Sequence, residues 1–407
     1  MMERPKSSPR GTQDLFFEKS DLFSQIEKKS QEIFDLSGFR EIKTPIFENT
    51  EIFQRAAGES SDLVGKEMYT FLDRSERSIT LRPEGTAGVV RALLSNGLDR
   101  APRPLKLWYK GPMFRYERSQ AGRYRQFHQL GLEVFGSQSK QIELESINLA
   151  CDLLKKLEIY DFKVEINTLG EKSTRKKYLL ALRSFLQKNE NKLCKDCQKR
   201  IETNPLRALD CKVEEDQILY QEKAPRIYEY LNSTEQEKFQ ELIRLLKDLK
   251  IDFEHNQFLV RGLDYYNQTV FEIKVPDLEL GSQNTLCAGG RYDHLVQEFG
   301  GPSLSAFGWA FGLERLILLL EKKKTSQNSE SFIFDYFVVN EKKNFLDTYR
   351  LVQKLRSRNL KVSLDYDQKN INKQIQLAKK QRARKIIFYT GDLENYQEKD
   401  LRSDYRN

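Results

Sequence analysis

Residues 114–136 read FRYERSQAGRYRQFHQLGLEVFG. From Gln126 onward apolar and polar residues alternate with period two, the pattern of a half-buried strand. Phe127, Gln129, Gly131 and Glu133 share one face, and His128, Leu130, Leu132 and Val134 share the other. The run PLKLWYKGPMFRYER at 104–118 reads as the partner strand, with SQAG at 119–122 as the turn of a hairpin. The leucine-bearing face is core. The opposite face sets an amide and a carboxylate on either side of a glycine, which leaves a slot for a flat polar ligand such as an imidazole. A solvated strand face is the plainer alternative. Four arginines in the stretch, Arg115, Arg118, Arg123 and Arg125, weigh against it, because arginine beside a buried hairpin needs a partner.

Working outward, SITLRPEGTAGVVRALL at 78–94 passes from a strand through Pro83, Glu84 and Gly85 into a helix. DLFSQIEKKSQEIFDLSGF at 21–39 is an amphipathic helix stopped by Gly38, and FREIKTPIFE at 39–48 reads as a strand that Pro45 confines to an edge or interface. Lysine-rich helical patterns fill 172–256 and read as an insertion. Strands return in FLVRGLDYYNQTVFEIKV at 258–275 and NTLCAGGRYDHLV at 284–296, before the helix FGLERLILLLEK. Polar KKKTSQNSES at 322–331 reads as a linker, and residues 332–407 alternate strand and helix as a small parallel α/β domain.

The length of 407 residues accommodates two or three cores. A net charge of +8 suits a polyanionic partner without requiring one. The first residues lack an apolar targeting segment, and Glu314 and Arg315 break the run AFGWAFGLERLILLL, so the expectation is a cytoplasmic protein with no membrane span. Five scattered cysteines predict thiols. CKDC at 194–197 with Cys211 supplies three sulfur donors, but no fourth Cys or His lies nearby, so no metal site is assigned. Neither a P-loop nor a dinucleotide-binding glycine turn occurs, and phosphate binding would fall to arginines. Arg315 inside an apolar helix either pairs with Glu314, snorkels to water, or faces a ligand.

Taken together, PRGTQD at 9–14, FREIKTPIFE, TLRPEGTAG with FRYER and RYRQFHQ, RGLDYYNQTVFE, CAGGRYD and FGLERL resemble the histidyl-tRNA synthetase family of class II aminoacyl-tRNA synthetases. The resemblance implies an α+β fold: an antiparallel sheet flanked by helices over residues 1–321, with the helical insertion at about 172–256. The linker at 322–331 and an anticodon-binding α/β domain at 332–407 would follow. It implies protein-biosynthetic ligation of L-histidine to tRNA(His) at the expense of ATP, with Mg²⁺ accompanying the nucleotide, in a homodimer.

Site roles follow from the same resemblance. Glu84, Gly85 and Thr86 would hold the histidine α-amino group, and Gln129 and Glu133 would read its imidazole beside Tyr265, Tyr266 and Tyr292. Arg115 would bridge the histidine carboxylate and the α-phosphate. Glu117, Arg123, Phe127 and Arg315 would complete the ATP site, and Arg261 would act as the electrostatic catalyst. Arg118 and Gln120 would meet the tRNA acceptor end. Lys373, Lys379, Lys380, Arg382, Arg384 and Lys385 would be available for tRNA phosphates. The chain stops after SDYRN where the family continues with a strand and helix, so the last domain reads as shortened. Two rival readings are a non-catalytic synthetase-like regulatory subunit of histidine biosynthesis and a nucleic-acid-binding sheet protein without catalysis.

Overall fold

The alternation that opens the sequence becomes the strand Gln126–Phe135, paired antiparallel with Leu105–Phe114 on one side and Ala306–Gly312 on the other. In this computed structural model the described residues are 7–58, 63–118, 120, 122–276, 284–326, 332–340, 344–367, 369–393 and 396–405. The sheet has eight strands in the order Arg40–Glu41, Leu105–Phe114, Gln126–Phe135, Ala306–Gly312, Thr285–Arg291, Asn267–Lys274, Lys163–Thr168 and Phe253–His255. Pairing is antiparallel through the centre and parallel at the two edges.

Period two then sorts the side chains. Leu130, Leu132 and Val134 join Trp108, Phe307, Trp309 and Phe311 on one face, where the helices Glu18–Leu36, Lys140–Lys156, Ser233–Asp248 and Leu313–Ser326 cover them. Trimming one such side chain, as in Leu132→Ala, costs about 2–5 kcal/mol through lost transfer energy and the cavity left behind. On the opposite face the same strands present Gln129, Gly131, Gly308, Ala310 and Gly312. Gln129, Ala310 and Gly312 line the cavity that carries the site, whereas Gly131 and Gly308 are covered by neighbouring side chains.

Several local expectations change. FREIKTPIFE does not form one strand: Arg40–Glu41 joins the large sheet, Pro45 interrupts, and Phe47–Asn49 joins a separate sheet with Ser78–Leu81 and Tyr69–Leu72. AFGWAFG is a strand, and its helix starts only at Leu313. That helix runs to Ser326, into the segment expected to be a linker, while 327–331 lie outside the described residues. Arg261, Tyr265 and Tyr266 sit in the loop between Phe253–His255 and Asn267–Lys274 rather than in a strand. Arg115 and Glu117 likewise lie beyond the strand end, so the hairpin connection is longer than SQAG, of which Ser119 and Ala121 are outside the described residues.

Backbone packing divides the chain into two units, Met1–Lys322 and Lys323–Asn407. Helices Lys172–Lys188, Lys195–Thr203, Glu214–Lys223 and Ser233–Asp248 build the insertion, and Leu182, Leu186, Cys197 and Tyr220 bury in the core on the site face. The second unit holds a four-stranded sheet in the order Val362–Leu364, Phe334–Asn340, Ala383–Tyr389, Gln397–Asp400. Its last strand pairs antiparallel, which departs from the all-parallel expectation. Gln397–Asp400 is charged and lacks apolar alternation, and such residues are suited to an exposed edge.

Candidate active site

The turn between Ser78–Leu81 and helix Thr86–Ser95 places Glu84 at the helix start, where its two carboxylate oxygens accept the N–H groups of Thr86 and Ala87, each at 2.8 Å. Those donors are orphaned in any helix, and a carboxylate there also meets the positive end of the helix dipole. Burial nevertheless raises the Glu84 pKa, with the two N–H bonds opposing the shift. Thr86 reaches the sheet, its hydroxyl donating to Glu133 Oε1 at 2.6 Å. The Tyr292 hydroxyl donates to Glu133 Oε2.

Glu133 is fully covered and does not line the cavity. Its carboxyl is pushed up to about 8, by burial first; the Thr86 and Tyr292 bonds counter that, and the Glu84 charge reinforces it. The slot expected above Gly131 is filled as well. Tyr109 occupies it, its ring wedged between Gly131 and Gly85, where a Cβ on either glycine would overlap the ring. Both sites need glycine because of that close approach.

The open space lies beside Tyr109. A cavity of about 200 Å³ is lined by Glu84, Thr86, Gln129, Tyr265 and Tyr266 together with Arg115, Arg123, Phe127, Arg261 and Arg315, and Arg261 lies 5.6 Å over the Tyr266 ring. The tyrosine pair is packed face to edge with Tyr292, at 4.6 Å between Tyr265 and Tyr266 and 5.6 Å between Tyr265 and Tyr292. Gln129 Oε1 and Arg261 Nε are buried with no hydrogen-bond partner. Buried polar atoms are seldom left so, which marks where a ligand's own donors and acceptors belong.

Each arginine of the cavity has a local tether. Arg115 donates to Pro83 O at 2.9 Å and lies 5.2 Å over the Phe127 ring; Arg123 meets Glu117 at 3.1 Å. Arg261 bonds Glu272 at 2.5 Å, and Arg315 donates to the Thr285 carbonyl at 2.6 Å. Glu314 does not serve Arg315. It accepts from the backbone and ring of His128, at 2.9 and 2.8 Å, and so pins the helix start to the hairpin. Burial lowers the Arg315 pKa, and the charges of Arg123 and Arg115 lower it further.

Those four arginines continue into a larger cavity of about 480 Å³, whose far wall comes from the insertion through Arg207, Asp210 and Lys212. Arg118 and Gln120 stand exposed on the hairpin connection, where Gln120 and Arg123 exchange backbone hydrogen bonds. Sequence patterning missed Tyr109 and Glu272. The first alternates correctly for the site face but reads as apolar core, and the second is one acid in TVFEIK whose role needs the loop carrying Arg261. In the second unit Lys373, Lys380, Arg382 and Arg384 are exposed, whereas Lys379 pairs with Asp404 and Lys385 with Glu398, each at 2.8 Å.

The chain that builds this site is similar in sequence and in fold to known proteins. The histidyl-tRNA synthetase family model matches residues 11–316. The histidine–tRNA ligase of Rippkaea orientalis is 46% identical over 368 residues, covering 90% of this chain and 85% of that protein. That of Prochlorococcus marinus is 46% identical over 383 residues, covering 94% and 89%. The solved histidyl-tRNA synthetase of S. aureus superposes with a TM-score of 0.74 at 33% identity, covering 98% of each chain. With a family model spanning most of the chain, and relatives this similar matching nearly all of it, the chain belongs to the histidyl-tRNA synthetase family.

Proposed function

We propose that the chain ligates L-histidine to tRNA(His) in two steps, forming histidyl adenylate from histidine and ATP and then passing the histidyl group to the terminal ribose of the tRNA. The observation that carries this reading is one continuous pocket that brings the Glu84 carboxylate, Gln129 and the Tyr265 and Tyr266 rings together with four arginines. Zwitterionic histidine fits with its ammonium toward Glu84 and Thr86. Its imidazole lies by Gln129, Tyr265 and Tyr266, and its carboxylate faces Arg115 and Arg261. Glu133 acts from beneath by fixing Thr86 and Tyr292, so its part in reading the ring is exerted through them.

ATP enters as its Mg²⁺ complex, adenine toward Phe127 and Glu117, outer phosphates toward Arg123 and Arg315. A histidine carboxylate oxygen attacks the α-phosphorus in line, the bond to pyrophosphate breaks, and its electron pair leaves with pyrophosphate. Arg115 and Arg261 meet the charge that builds on the α-phosphoryl oxygens; fixed donors of this kind act without reorganisation. The ribose hydroxyl of the tRNA then attacks the adenylate's carbonyl carbon, and AMP departs.

Arg118 and Gln120 meet the acceptor end. The exposed cations of the second unit bind phosphates near the anticodon. A homodimer is supported by exposed apolar side chains on and beside the small sheet, Ile46, Phe47, Phe71 and Leu72, which a partner copy would cover. Among the described residues no helix is long and apolar enough to cross a membrane, which agrees with a cytoplasmic site of action. The test is exchange of labelled pyrophosphate into ATP across a panel of amino acids. Exchange that depends on histidine supports the reading, while exchange with none of the panel favours the regulatory-subunit alternative.

A further inference from the structure

The insertion contains a cluster that the ligase reaction does not use. Cys194 caps the helix Lys195–Thr203 and Cys197 lies in its first turn, Cys211 follows the short helix Pro205–Asp210, and Asp216 lies in the first turn of Glu214–Lys223. Their donor atoms all fall within 4.8 Å of one another. Cys194 Sγ and Cys211 Sγ are 3.7 Å apart, and Cys211 Sγ is 3.3 Å from Asp216 Oδ2. Two sulfurs bound tetrahedrally to zinc lie roughly 3.8 Å apart, and a sulfur and an oxygen about 3.5 Å. These two edges match a coordination tetrahedron, and the remaining donors lie within 4.8 Å, close enough to draw in around an ion.

Two independent features point the same way. Asp216 is 1% exposed, yet among the described residues no cationic side chain pairs with it. A carboxylate buried among thiols is costly unless a cation joins it. The backbone is also arranged around the donors: the Cys197 and Val213 N–H groups point at Cys194 Sγ and Cys211 Sγ, both at 3.4 Å, and the Cys194 N–H donates to Asp216 at 3.1 Å. Such outer hydrogen bonds orient metal ligands and stabilise thiolate charge.

We propose that Cys194, Cys197, Cys211 and Asp216 bind a zinc ion. Three sulfur donors select zinc over magnesium or calcium, and four protein ligands leave no open position, so the ion is structural. It fastens the ends of three short helices. The short helix Pro205–Asp210 and the residues after it carry Arg207, Asp210 and Lys212, the insertion wall of the larger cavity, so the ion fixes that wall against the arginine cluster. On binding, the three thiols release their protons to solvent.

The experiment uses the full chain without a metal-binding tag. Elemental analysis after gel filtration should find about one zinc per chain. Cobalt reconstitution should give the intense visible bands of tetrahedral thiolate coordination. Cys194→Ser and Asp216→Ala should lower zinc retained after dialysis against a chelator about tenfold or more, and Asp216→Cys should retain it. A mercurial should release zinc in step with modification of the cluster's thiols, a readout on the unaltered chain that stands even if the variants misfold. Failure to retain zinc after reconstitution overturns the proposal. So does a Cys194–Cys211 disulfide in the unreduced chain, or zinc retention that is indifferent to both Cys194→Ser and Asp216→Ala.

Discussion

Replacing Glu133 with glutamine should make the protein more stable at high pH while weakening its grip on histidine. The carboxyl is buried, its two acceptors serve Thr86 and Tyr292, and its pKa rises from 4.5 to about 8. Because the folded-state value is raised, the native protein keeps a proton that the unfolded chain has already released across that window. Its contribution to stability is therefore fully present below pH 4.5, declines as pH climbs, and is lost once pH passes 8. At about 1.4 kcal/mol per pKa unit the shift corresponds to roughly 5 kcal/mol, an upper bound because side chains and water relax around a buried charge. Glutamine has the same shape and cannot ionise. One hydroxyl can still donate to its amide oxygen, and the other can accept from its amide nitrogen.

The assay is denaturant unfolding of the parent and Glu133→Gln proteins from pH 5 to 9, plotted as a difference so that every other titrating group cancels. The difference should be near zero at pH 5 and favour glutamine by several kcal/mol at pH 9. Saturating histidine should flatten the parent's pH dependence, since a cationic ligand beside Glu84 and Glu133 favours the ionised carboxyl. Parallel curves across the range would refute the argument, because they would mean that burial does not hold the Glu133 proton.

Arg261→Ala should lower pyrophosphate exchange about 100- to 1,000-fold while histidine binding, read by thermal shift, survives; near-normal exchange would remove Arg261 from the reaction. Gly308→Ala should destabilise the protein by about 1–3 kcal/mol in denaturant melts, since a methyl there overlaps the Glu133 carboxylate, and an unchanged midpoint would contradict that packing. Neutralising Lys373, Lys380, Arg382 and Arg384 should weaken tRNA binding and make it less salt-dependent, each lost phosphate contact reducing the slope by about 0.7–0.9, with pyrophosphate exchange intact. If exchange falls as far as charging, the cluster is not a separate tRNA contact. Changing Lys379 or Lys385, already paired with Asp404 and Glu398, should do less.

The central hairpin was legible because its apolar side chains keep to one face with period two, and a slip of a single residue would move Leu130, Leu132 and Val134 out of the core. The turn into helix Thr86–Ser95 was legible for a similar reason, since Pro83, Glu84 and Gly85 can do little else. Loops hid more. Nothing in RGLDYY shows that Arg261 leaves the strand to meet Glu272, because that pairing is set by tertiary packing. The alternating pattern also gave Gly131 an open slot, when a neighbouring strand supplies Tyr109 to fill it. Asp216 carries no signal as a fourth metal donor, because an acid in VEED reads as an ordinary solvated helix start whereas Cys and His stand out by spacing. The edge strand Gln397–Asp400 has no apolar face to betray it.

The most direct test of the account is transfer of labelled histidine by the purified chain to tRNA transcripts. The account predicts that tRNA(His) becomes charged in a reaction requiring ATP, that other tRNAs are not charged, and that mild base releases the label as free histidine. No charging of tRNA(His), with ATP and histidine present and the protein folded, would contradict it.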